Sequence, residues 1–326
     1  MRVLITGGAG FIGANLTREL LSNGHSVSIV DDLSTGTMSN LDGANVEFHR
    51  GSILDLDLLT ALSFDCDSIV HLAARSSVPR SLNAPIASHN ANASGTLNVL
   101  EASRAAGGRH VVMASSSSVY GANPELPKRE SAATRPMSPY AASKLAAEAY
   151  ALAYRTSFNI STLAFRFFNV FGPLQPAGHA YAAAIPAFVD AALRGSAITV
   201  HGDGSQSRDF THVATVCSTI RQALENEVSS PDPVNLAFGS RITLNEVLAL
   251  IAEQVDKPLV IENVANRVGD VPHSQADCSL LRSLIPNIEP VDFAKGLTET
   301  IDWMRTVVGE PDLDLSTSNE SSTLLS

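Results

Sequence analysis

Cysteine is scarce in this chain, which has three cysteines among its 326 residues. Cys66, Cys217 and Cys278 are widely spaced, which argues against a disulfide framework and against a thiolate metal site. We therefore expect three small, unpaired and buried side chains in a protein of the reducing cytoplasm. We expect no metal site.

Positively charged residues are also few. The chain has 22 lysines and arginines against 33 aspartates and glutamates, which gives a formal net charge of −11 at pH 7. An acidic surface repels nucleic acids and anionic membranes, so we expect neither as a partner. An anionic substrate would need arginines placed locally around it.

Long apolar runs are absent as well. No stretch approaches the roughly 20 apolar residues of a membrane-spanning helix. The chain starts with a predicted strand rather than with the basic segment and apolar run of a signal peptide. These absences favour a cytoplasmic protein.

The first half of the chain has a regular alternation of apolar strands and helical patterns. The candidate strands are 2–6, 26–31, 46–50, 68–72, 110–115 and 161–166. Helical patterns lie between them, including 97–106 and 140–156. Such alternation predicts an α/β protein with a Rossmann-type, doubly wound parallel sheet, which binds ligands at the carboxyl ends of its strands.

A glycine-rich turn follows the first predicted strand and opens a helix-like run. It reads Gly7-Gly8-Ala9-Gly10-Phe11-Ile12-Gly13. Glycines there allow a tight turn and a close approach of the backbone to a pyrophosphate, which the helix N-terminus attracts. The second strand ends in Asp31 and Asp32, and a carboxylate at that place binds ribose hydroxyls and repels an additional phosphate. We therefore predict NAD, rather than NADP, as the cofactor.

The pattern changes after residue 166, where turn-rich segments separate shorter elements. Helical patterns there are 185–193, 215–226 and 244–254. We predict an NAD-binding Rossmann domain at 1–170, to which chain segments return after residue 205, and a smaller mixed α/β substrate lobe at 171–308. The polar tail, 309–326, is predicted to be disordered.

A serine run and a tyrosine–lysine pair are the most specific signs of chemistry. Ser115 to Ser118 follow a predicted strand, and Tyr140 and Lys144 are four residues apart on one face of a predicted helix. Free tyrosine has a pKa of about 10, and a neighbouring ammonium lowers it toward neutral pH. The pair therefore predicts a tyrosine base, which a positively charged nicotinamide ring would activate further.

The predicted helix that carries this pair, 140–156, has alanine and leucine on most of its sides. A helix that is apolar beyond one stripe is buried on more than one face. One face would cover the sheet. The second would be buried either within the domain or against a partner subunit, and the sequence leaves both interpretations open.

Together, the glycine turn, Ser116-x-x-x-Tyr120-Gly121 and Tyr140-x-x-x-Lys144 resemble the extended short-chain dehydrogenase/reductase family. Within it, the chain is most similar to the nucleotide-sugar 4-epimerases, and among these to the UDP-N-acetylglucosamine 4-epimerases. The similarity runs from residue 1 to about residue 304. Further matching segments are 71–74, 77–79, 166–172, 180–186, 202–210 and 267–274. The resemblance also implies a homodimer.

The resemblance implies a catalytic set. Tyr140 would be the base, and Lys144 would lower its pKa and bind the nicotinamide ribose. Counting back from Gly121, the hydroxyl that assists proton transfer falls at Ser116, with Ser117 as the alternative.

The resemblance also implies binding residues. NAD would contact Gly7, Gly10, Phe11, Ile12, Gly13, Asp31, Asp32, Ser34, Thr35, Gly36, Ser52, Ile53, Leu72, Ala73, Ala74, Asn92, Ala114, Tyr140, Lys144 and Phe167. The UDP-sugar would contact Ser77, Val78, Ser116, Ser117, Tyr140, Asn169, Ala183, Ala184, Ile185, His201, Arg208, Arg267, Asp270 and Ser274. Arg208 and Arg267 would grip the phosphates and supply the local positive charge that the acidic surface demands.

Two departures from the family pattern concern the cofactor. Ser52 stands where relatives often have an acid that contacts adenine, and Phe167 stands where many have tyrosine. Neither departure touches the predicted chemistry.

Ser117 and Ser118 argue against two sibling reactions. The family's 4,6-dehydratases have an Asp-Glu pair at these positions, and its decarboxylating members need a Glu at the second. Serine cannot supply that acid. Uronate 4-epimerases share the serine run, but they tend to have Thr in place of Asn169 and basic residues in segment 172–178, where this chain has none.

Ser274 bears on the size of the sugar. Relatives limited to unsubstituted hexoses have a bulky Tyr there, whereas a serine leaves room for an N-acetyl group, and Ala183 and Ala184 widen the same region. The resemblance therefore implies an isomerase: an NAD-dependent 4-epimerase of UDP-GlcNAc and UDP-GalNAc that also accepts UDP-glucose and UDP-galactose, through a transient 4-keto sugar. The alternative is a 4-epimerase of UDP-glucuronate or of a modified UDP-N-acetylhexosamine. A non-catalytic NAD-binding protein would not need an intact catalytic set.

Overall fold

Seven parallel strands form the central sheet of the computed structural model, which describes residues 1–178, 182–265 and 271–308. The strands, in chain order, are β1 (Arg2–Thr6), β2 (Ser26–Asp31), β3 (Glu47–Arg50), β4 (Ser68–His71), β5 (His110–Ser116), β6 (Thr162–Phe167), β7 (Asn169–Phe171), β8 (Ile198–His201), β9 (Ser207–Arg208), β10 (Phe210–His212), β11 (Val234–Leu236), β12 (Ile242–Thr243) and β13 (Ile261–Val264). The helices are α1 (Phe11–Ser22), α2 (Leu56–Phe64), α3 (Val78–Asn83), α4 (Pro85–His89), α5 (Gly95–Ala105), α6 (Pro139–Phe158), α7 (Ala184–Arg194), α8 (Val213–Glu225), α9 (Leu244–Val255), α10 (Ser279–Leu284) and α11 (Phe293–Val308).

The order of strands in the central sheet is β3-β2-β1-β4-β5-β6-β11, and neighbouring strands are parallel. The chain adds β2 and β3 on one side of β1 and then crosses over to add β4, β5 and β6 on the other. The order therefore reverses between β1 and β4, and a reversal of this kind opens a ligand crevice at the carboxyl ends of the strands. The predicted α/β fold with a doubly wound parallel sheet is confirmed.

Helices cover both faces of this sheet, which is why its strands are almost continuously apolar. On one face, α1 and α8 pack against the strands through residues such as Leu16 and Ile220. On the other face, α2, α5 and α6 contribute Leu59, Leu100 and Ala147. Because both faces are covered, side chains that serve a ligand have to lie at the strand ends.

The second half of the chain forms a smaller lobe. It is built from α7, α9, α11 and the parallel pair of β8 and β13, around a core that includes Phe188, Val247, Ile251 and Leu297. Its β7 begins two residues after the end of β6 and pairs with β10. Residues of β7 therefore stand directly beside the carboxyl edge of the central sheet.

Local signals explain where several elements begin. Helix α6, predicted at 140–156, begins at Pro139 because the Ser138 hydroxyl accepts a hydrogen bond from the Ala141 amide at 3.1 Å and caps the helix. Strand β11 was not predicted, because its three residues, Val234-Asn235-Leu236, carry too short a pattern. Its pairing with β6 decides its conformation.

No described helix is long and apolar enough to cross a membrane. Cys66 and Cys217 are buried, Cys278 is half-buried, and all three are free thiols. The tail predicted to be disordered, 309–326, lies outside the described residues.

Candidate active site

The glycine turn between β1 and α1 forms a cradle that only glycine permits. Gly7 has a φ of +74°, and a Cβ there would lie 2.6 Å from the Ala73 nitrogen. A Cβ on Gly13 would lie 2.3 Å from the Gly7 carbonyl oxygen. Gly10 is the N-cap residue of helix α1, so no side chain caps the helix, and its first turn has no acidic residue. The cradle therefore fits an anionic group such as a pyrophosphate at the positive end of the helix dipole.

Asp31 closes one side of this cradle at the end of β2. Its carboxylate accepts hydrogen bonds from the amides of Ala9, at 3.0 Å, and Leu33, at 2.8 Å. Burial raises the pKa of Asp31, while these two bonds act in the opposite direction. The carboxylate thus fixes the turn and also borders the cavity, where its remaining lone pairs are suited to sugar hydroxyls.

A first cavity, of about 520 Å³, extends from the cradle across the ends of β2 and β3. Predicted cofactor residues that line it are Gly7, Gly10, Asp31, Asp32, Ser34, Thr35, Ser52, Ile53, Leu72, Ala73 and Ala74. Arg75 and Arg80 also line it and were missed, because each directly follows a matching segment, 71–74 or 77–79, without being part of it. Predicted Gly36 is absent from this lining and serves close packing instead, since a Cβ there would lie 2.7 Å from the Ala9 carbonyl carbon.

A second cavity, of about 320 Å³, lies on the other side of the cradle, at the ends of β5 and β6. Predicted residues that line it are Phe11, Ile12, Gly13, Ala114, Ser116, Tyr140, Lys144 and Phe167, together with Gly7, Gly10, Thr35, Leu72 and Ala74 from the first cavity. The two cavities thus share the cradle, as a dinucleotide with a central pyrophosphate requires. A nucleotide half fits on each side.

Tyr140, Lys144 and Ser116 meet in the second cavity. Burial raises the pKa of the Tyr140 phenol, and a hydrogen bond with Ser116 acts to lower it. The Lys144 ammonium donates to the Ala114 carbonyl at 2.8 Å, and burial lowers its pKa to about 8. Ser116, rather than Lys144 as predicted, is therefore the group that acts to lower the pKa of the candidate base.

The serines of the run, 115–118, have different surroundings. Ser116 ends β5 and lines the second cavity, whereas Ser117 begins the 3-10 turn Ser117–Tyr120 and borders none of the cavities described here. Ser115 donates to Glu148 at 2.6 Å, and Glu148 forms a buried ion pair with Arg166 at 2.7 Å. This network lies behind Ser116 and ties α6 to β5 and β6.

A third cavity, of about 220 Å³, lies between β7 and the smaller lobe. The predicted substrate residues that line it are Asn169, Ala183, Ala184, Ile185, His201 and Arg208. Arg208 is held by bonds from its guanidinium to the carbonyls of Ser207, at 2.9 Å, and Pro272, at 3.2 Å. A cation and an amide thus face one apolar-walled space beside the second cavity.

Three other described residues that were predicted to bind the substrate have different surroundings. Ser77 caps α3 with a φ of +97°, and Val78 is 38% exposed at the start of that helix. Ser274 borders none of the three cavities, but its amide donates to the Ser207 carbonyl at 3.0 Å, beside Arg208. Predicted Arg267 and Asp270 lie outside the described residues.

Asn92, predicted to lie near the cofactor, is buried, and its side chain is hydrogen-bonded to other parts of the protein. It sits in the π-helical turn Asn90–Ser94, accepts from the Arg75 amide at 2.7 Å, and donates to the Ser143 hydroxyl at 2.9 Å. It therefore joins the loop after β4 to α6. Single π-turns of this kind are frequent at functional sites.

Gln175 is a site residue that the sequence analysis missed. It lines both the second and the third cavity. Its Nε2 donates to the Val170 carbonyl at 3.1 Å, and its buried Oε1 has no hydrogen-bond partner among the described residues. A buried acceptor without a partner is costly, so this oxygen is suited to a donor on a ligand. Its position shortly after β7, beside the carboxyl edge of the central sheet, is the feature that could have identified it as a site residue.

Residues 3–237 match the NAD dependent epimerase/dehydratase family. The chain belongs to this family, and the predicted membership in the extended short-chain dehydrogenases/reductases is confirmed. Its cofactor is accordingly NAD, which fits the cradle and the two cavities that share it.

Three relatives illustrate the similarity. The UDP-glucose 4-epimerase of Mycolicibacterium smegmatis is 36% identical over 311 residues, which are 94% of this chain and 99% of that protein. The structure of a UDP-N-acetylglucosamine 4-epimerase from Methanobrevibacter ruminantium M1, in complex with UDP-N-acetylmuramic acid, has a TM-score of 0.89 and 34% identity, over 94% of this chain and 98% of that one. The UDP-glucuronic acid 4-epimerase from Bacillus cereus, in complex with UDP-glucuronic acid and NAD, has a TM-score of 0.86 and 27% identity, over 94% and 100%.

Proposed function

We propose that this protein is an NAD-dependent UDP-sugar 4-epimerase. The observation that carries the proposal is the convergence of Tyr140, Lys144 and Ser116 in a cavity that shares the glycine cradle on one side and borders the Asn169–Arg208 cavity on the other. A base thus lies between the place for a nicotinamide and the place for an anchored nucleotide sugar. The relatives that act on UDP-sugars support the same reaction class.

The chain's own residues have defined tasks in this reaction. NAD held by the cradle and the two cavities would supply the acceptor and then the donor of the hydride at sugar C4, with no net redox change. Tyr140 takes the proton of the 4-hydroxyl and gives it back. Arg208 and Asn169 hold the diphosphate while the 4-keto sugar rotates within the site. Lys144 places positive charge beside the nicotinamide ribose and the Tyr140 phenolate.

We propose UDP-GlcNAc and UDP-GalNAc as the preferred substrates, with UDP-glucose and UDP-galactose also accepted. The small side chains of Ala183 and Ala184 on the third cavity, and the serine at position 274 beside Arg208, support room for an acetamido group. The M. ruminantium relative points the same way, whereas the M. smegmatis relative supports the plain hexoses.

UDP-glucuronate is the alternative substrate, and a modified UDP-N-acetylhexosamine is a further one. The serine run and the B. cereus relative favour a uronate. A uronate carboxylate needs its own cation. In the third cavity, Arg208 is the one arginine or lysine among the lining residues that the structure describes. Since we assign Arg208 to the diphosphate, this lining offers no second arginine or lysine for a uronate carboxylate.

The test is a conversion assay without added cofactor. Purified protein is incubated separately with UDP-GlcNAc, UDP-galactose and UDP-glucuronate, and proton NMR follows the anomeric signals, with Tyr140→Phe as the inactive control. Appearance of UDP-GalNAc supports the full proposal. Conversion of UDP-galactose alone keeps the reaction and rejects the acetamido preference, and conversion of UDP-glucuronate alone selects the alternative.

We also propose a homodimer formed through the outer face of α3, α4 and α6. These helices pack on one another and leave Leu82, Ile86 and Tyr150 exposed by 62%, 73% and 41%. Sedimentation velocity on the wild type and on Ile86→Glu tests this surface. The wild type should sediment as a dimer and the variant as a monomer, and a monomeric wild type refutes the proposal.

A further inference from the structure

The hydroxyl of Ser116 has an unusual set of partners. Its Oγ accepts a hydrogen bond from the Ser118 amide at 3.2 Å and another from the Ser118 hydroxyl at 2.9 Å. A serine oxygen has two lone pairs and one proton. Both lone pairs are therefore occupied by a single residue, and the proton of Ser116 is left to point elsewhere.

The remaining direction leads to the candidate base. The hydrogen bond between Ser116 and Tyr140 acts to lower the pKa of the phenol. Both side chains line the second cavity, and a Ser116 hydroxyl with both lone pairs occupied can only donate to the phenolic oxygen. The occupancy of the Ser116 lone pairs therefore sets the direction of this hydrogen bond: Ser116 donates and Tyr140 accepts.

We propose that Ser118 is a positioning residue that holds Ser116 as a hydrogen-bond donor to Tyr140, so that the sugar proton passes directly to Tyr140. This inference rests on the proposed function. In the proton step, the O–H bond of the sugar 4-hydroxyl breaks and a new O–H bond forms on Tyr140, while the C4 hydride leaves to NAD. Ser116 keeps its own proton throughout. A relay through Ser116 would require it to accept a third hydrogen bond.

The local backbone makes Ser118 suited to this task. Ser116 ends β5, where its register opposite Phe167 of β6 fixes the main chain. Its side chain caps the 3-10 turn that follows, which brings the amide and the hydroxyl of Ser118 back toward the same oxygen. Ser118→Ala removes the hydroxyl donor and keeps the amide donor, so this variant isolates one of the two bonds.

The first test compares Ser118→Ala, the conservative Ser118→Thr and the exposed-site control Ser131→Ala with the wild type. With a UDP-sugar that the wild type converts, Ser118→Ala should lower kcat by about five- to tenfold, as loss of one neutral hydrogen bond does. KM should stay within about twofold, because no binding contact is removed. The pH at which kcat rises should move upward, and Ser118→Thr should restore both values.

A second readout does not depend on turnover. The absorbance of phenolate near 295 nm, taken as the difference between each background and its Tyr140→Phe counterpart, titrates Tyr140 in the NAD-containing protein. The midpoint should be higher in Ser118→Ala than in the wild type by about half to one pH unit. In mixed H₂O and D₂O, the wild-type rate should fall linearly with the deuterium fraction, because one proton moves.

Three results would overturn the inference. They are an unchanged pH profile and titration midpoint in Ser118→Ala, a Ser118→Thr variant as impaired as Ser118→Ala, and a bowed dependence on deuterium fraction, which indicates that the Ser116 proton also moves. A wild type that converts no UDP-sugar refutes the proposed function instead. The absorbance titration still tests Ser118 in that case.

Discussion

At the scale of single residues, His71 is a buried imidazole that the fold keeps neutral. Its Nδ1 lies 2.7 Å from the Thr6 hydroxyl and its Nε2 lies 2.9 Å from the Thr96 hydroxyl. Thr96 donates its own proton to the Asn92 carbonyl, so it accepts from Nε2–H. The neutral ring is thus fully paired. Burial, with a smaller effect of the Lys144 charge, lowers the pKa of His71 to about 3.

This histidine should make the protein less stable in mild acid. The unfolded chain binds a proton at an ordinary histidine pKa of about 6.5, whereas the folded chain does not until about pH 3. Stability is therefore lost as the pH falls through this window, by about 2 kcal/mol between pH 7 and pH 5. Urea unfolding at both pH values measures the loss. In His71→Gln, the loss of unfolding free energy between pH 7 and pH 5 should be smaller by the contribution of His71. The exposed-site control His89→Gln should lose as much as the wild type.

The buried ion pair of Glu148 and Arg166 is the second residue-scale feature with a measurable effect. The two side chains are 3% and 4% exposed, and Glu148→Gln would leave the arginine uncompensated. We expect this variant to lose about 3 kcal/mol of unfolding free energy. Asp302→Asn breaks an exposed pair, with Arg305, and should lose less than about 1 kcal/mol. Equal losses in chemical denaturation would contradict a structural role for the buried pair.

At the scale of elements, α6 carries the chemistry because of its four-residue spacing. Tyr140, Lys144 and Glu148 follow one another along one side of the helix. The first two line the second cavity, and the third is paired with β6 beneath it. The helix is therefore both the holder of the base and the element that anchors it to the sheet.

The turn before α1 gives a prediction about cofactor retention. Gly13→Ala would place a methyl group against the backbone of Gly7, so the cradle has to open. We expect the NAD content of the purified protein to fall about tenfold or more, the factor that corresponds to 1.4 kcal/mol of binding free energy. Quantifying NAD released by acid denaturation measures this. Gly178→Ala, where a Cβ meets nothing within 4 Å, should retain the wild-type content.

Elements with a strong repeating pattern could be predicted, and contacts between them could not. The glycine turn, the strands of the first half and α6 followed from local sequence. The partner of Glu148 did not, because a helix residue and a strand residue 18 positions apart meet only after the chain has packed. The hydrogen bonds from Ser118 to Ser116 and the unpaired oxygen of Gln175 depend on side-chain directions, which spacing alone does not give.

At the scale of the whole molecule, the crevice between the central sheet and the smaller lobe gathers residues from distant parts of the chain. Segment 272–274 crosses to β9 and is hydrogen-bonded to Ser207 beside Arg208. Position 274 therefore lies beside Arg208, and we expect a bulky side chain there to reach toward the third cavity. Its effect should depend on the size of the sugar.

Ser274→Tyr should change substrate preference more than overall activity. We expect turnover of UDP-GlcNAc to fall about 10- to 100-fold relative to that of UDP-galactose, because a ring would clash with the acetamido group. The ratio of kcat/KM values for the two substrates is the measurement. Ser279→Tyr, at an exposed site, should leave the ratio unchanged, and an equal loss on both substrates by Ser274→Tyr would refute the idea.

The unpaired oxygen of Gln175 bears on how the cofactor and the nucleotide sugar affect each other's binding. Gln175 lines both the cavity assigned to the cofactor and the cavity assigned to the sugar, so a donor that reaches its oxygen from either side changes what the other ligand encounters. Thermodynamic linkage is reciprocal: whatever factor a nucleotide sugar applies to the affinity for NAD, NAD applies to the affinity for the sugar. We therefore expect Gln175 to couple the two ligands, and loss of its amide to make their binding more nearly independent.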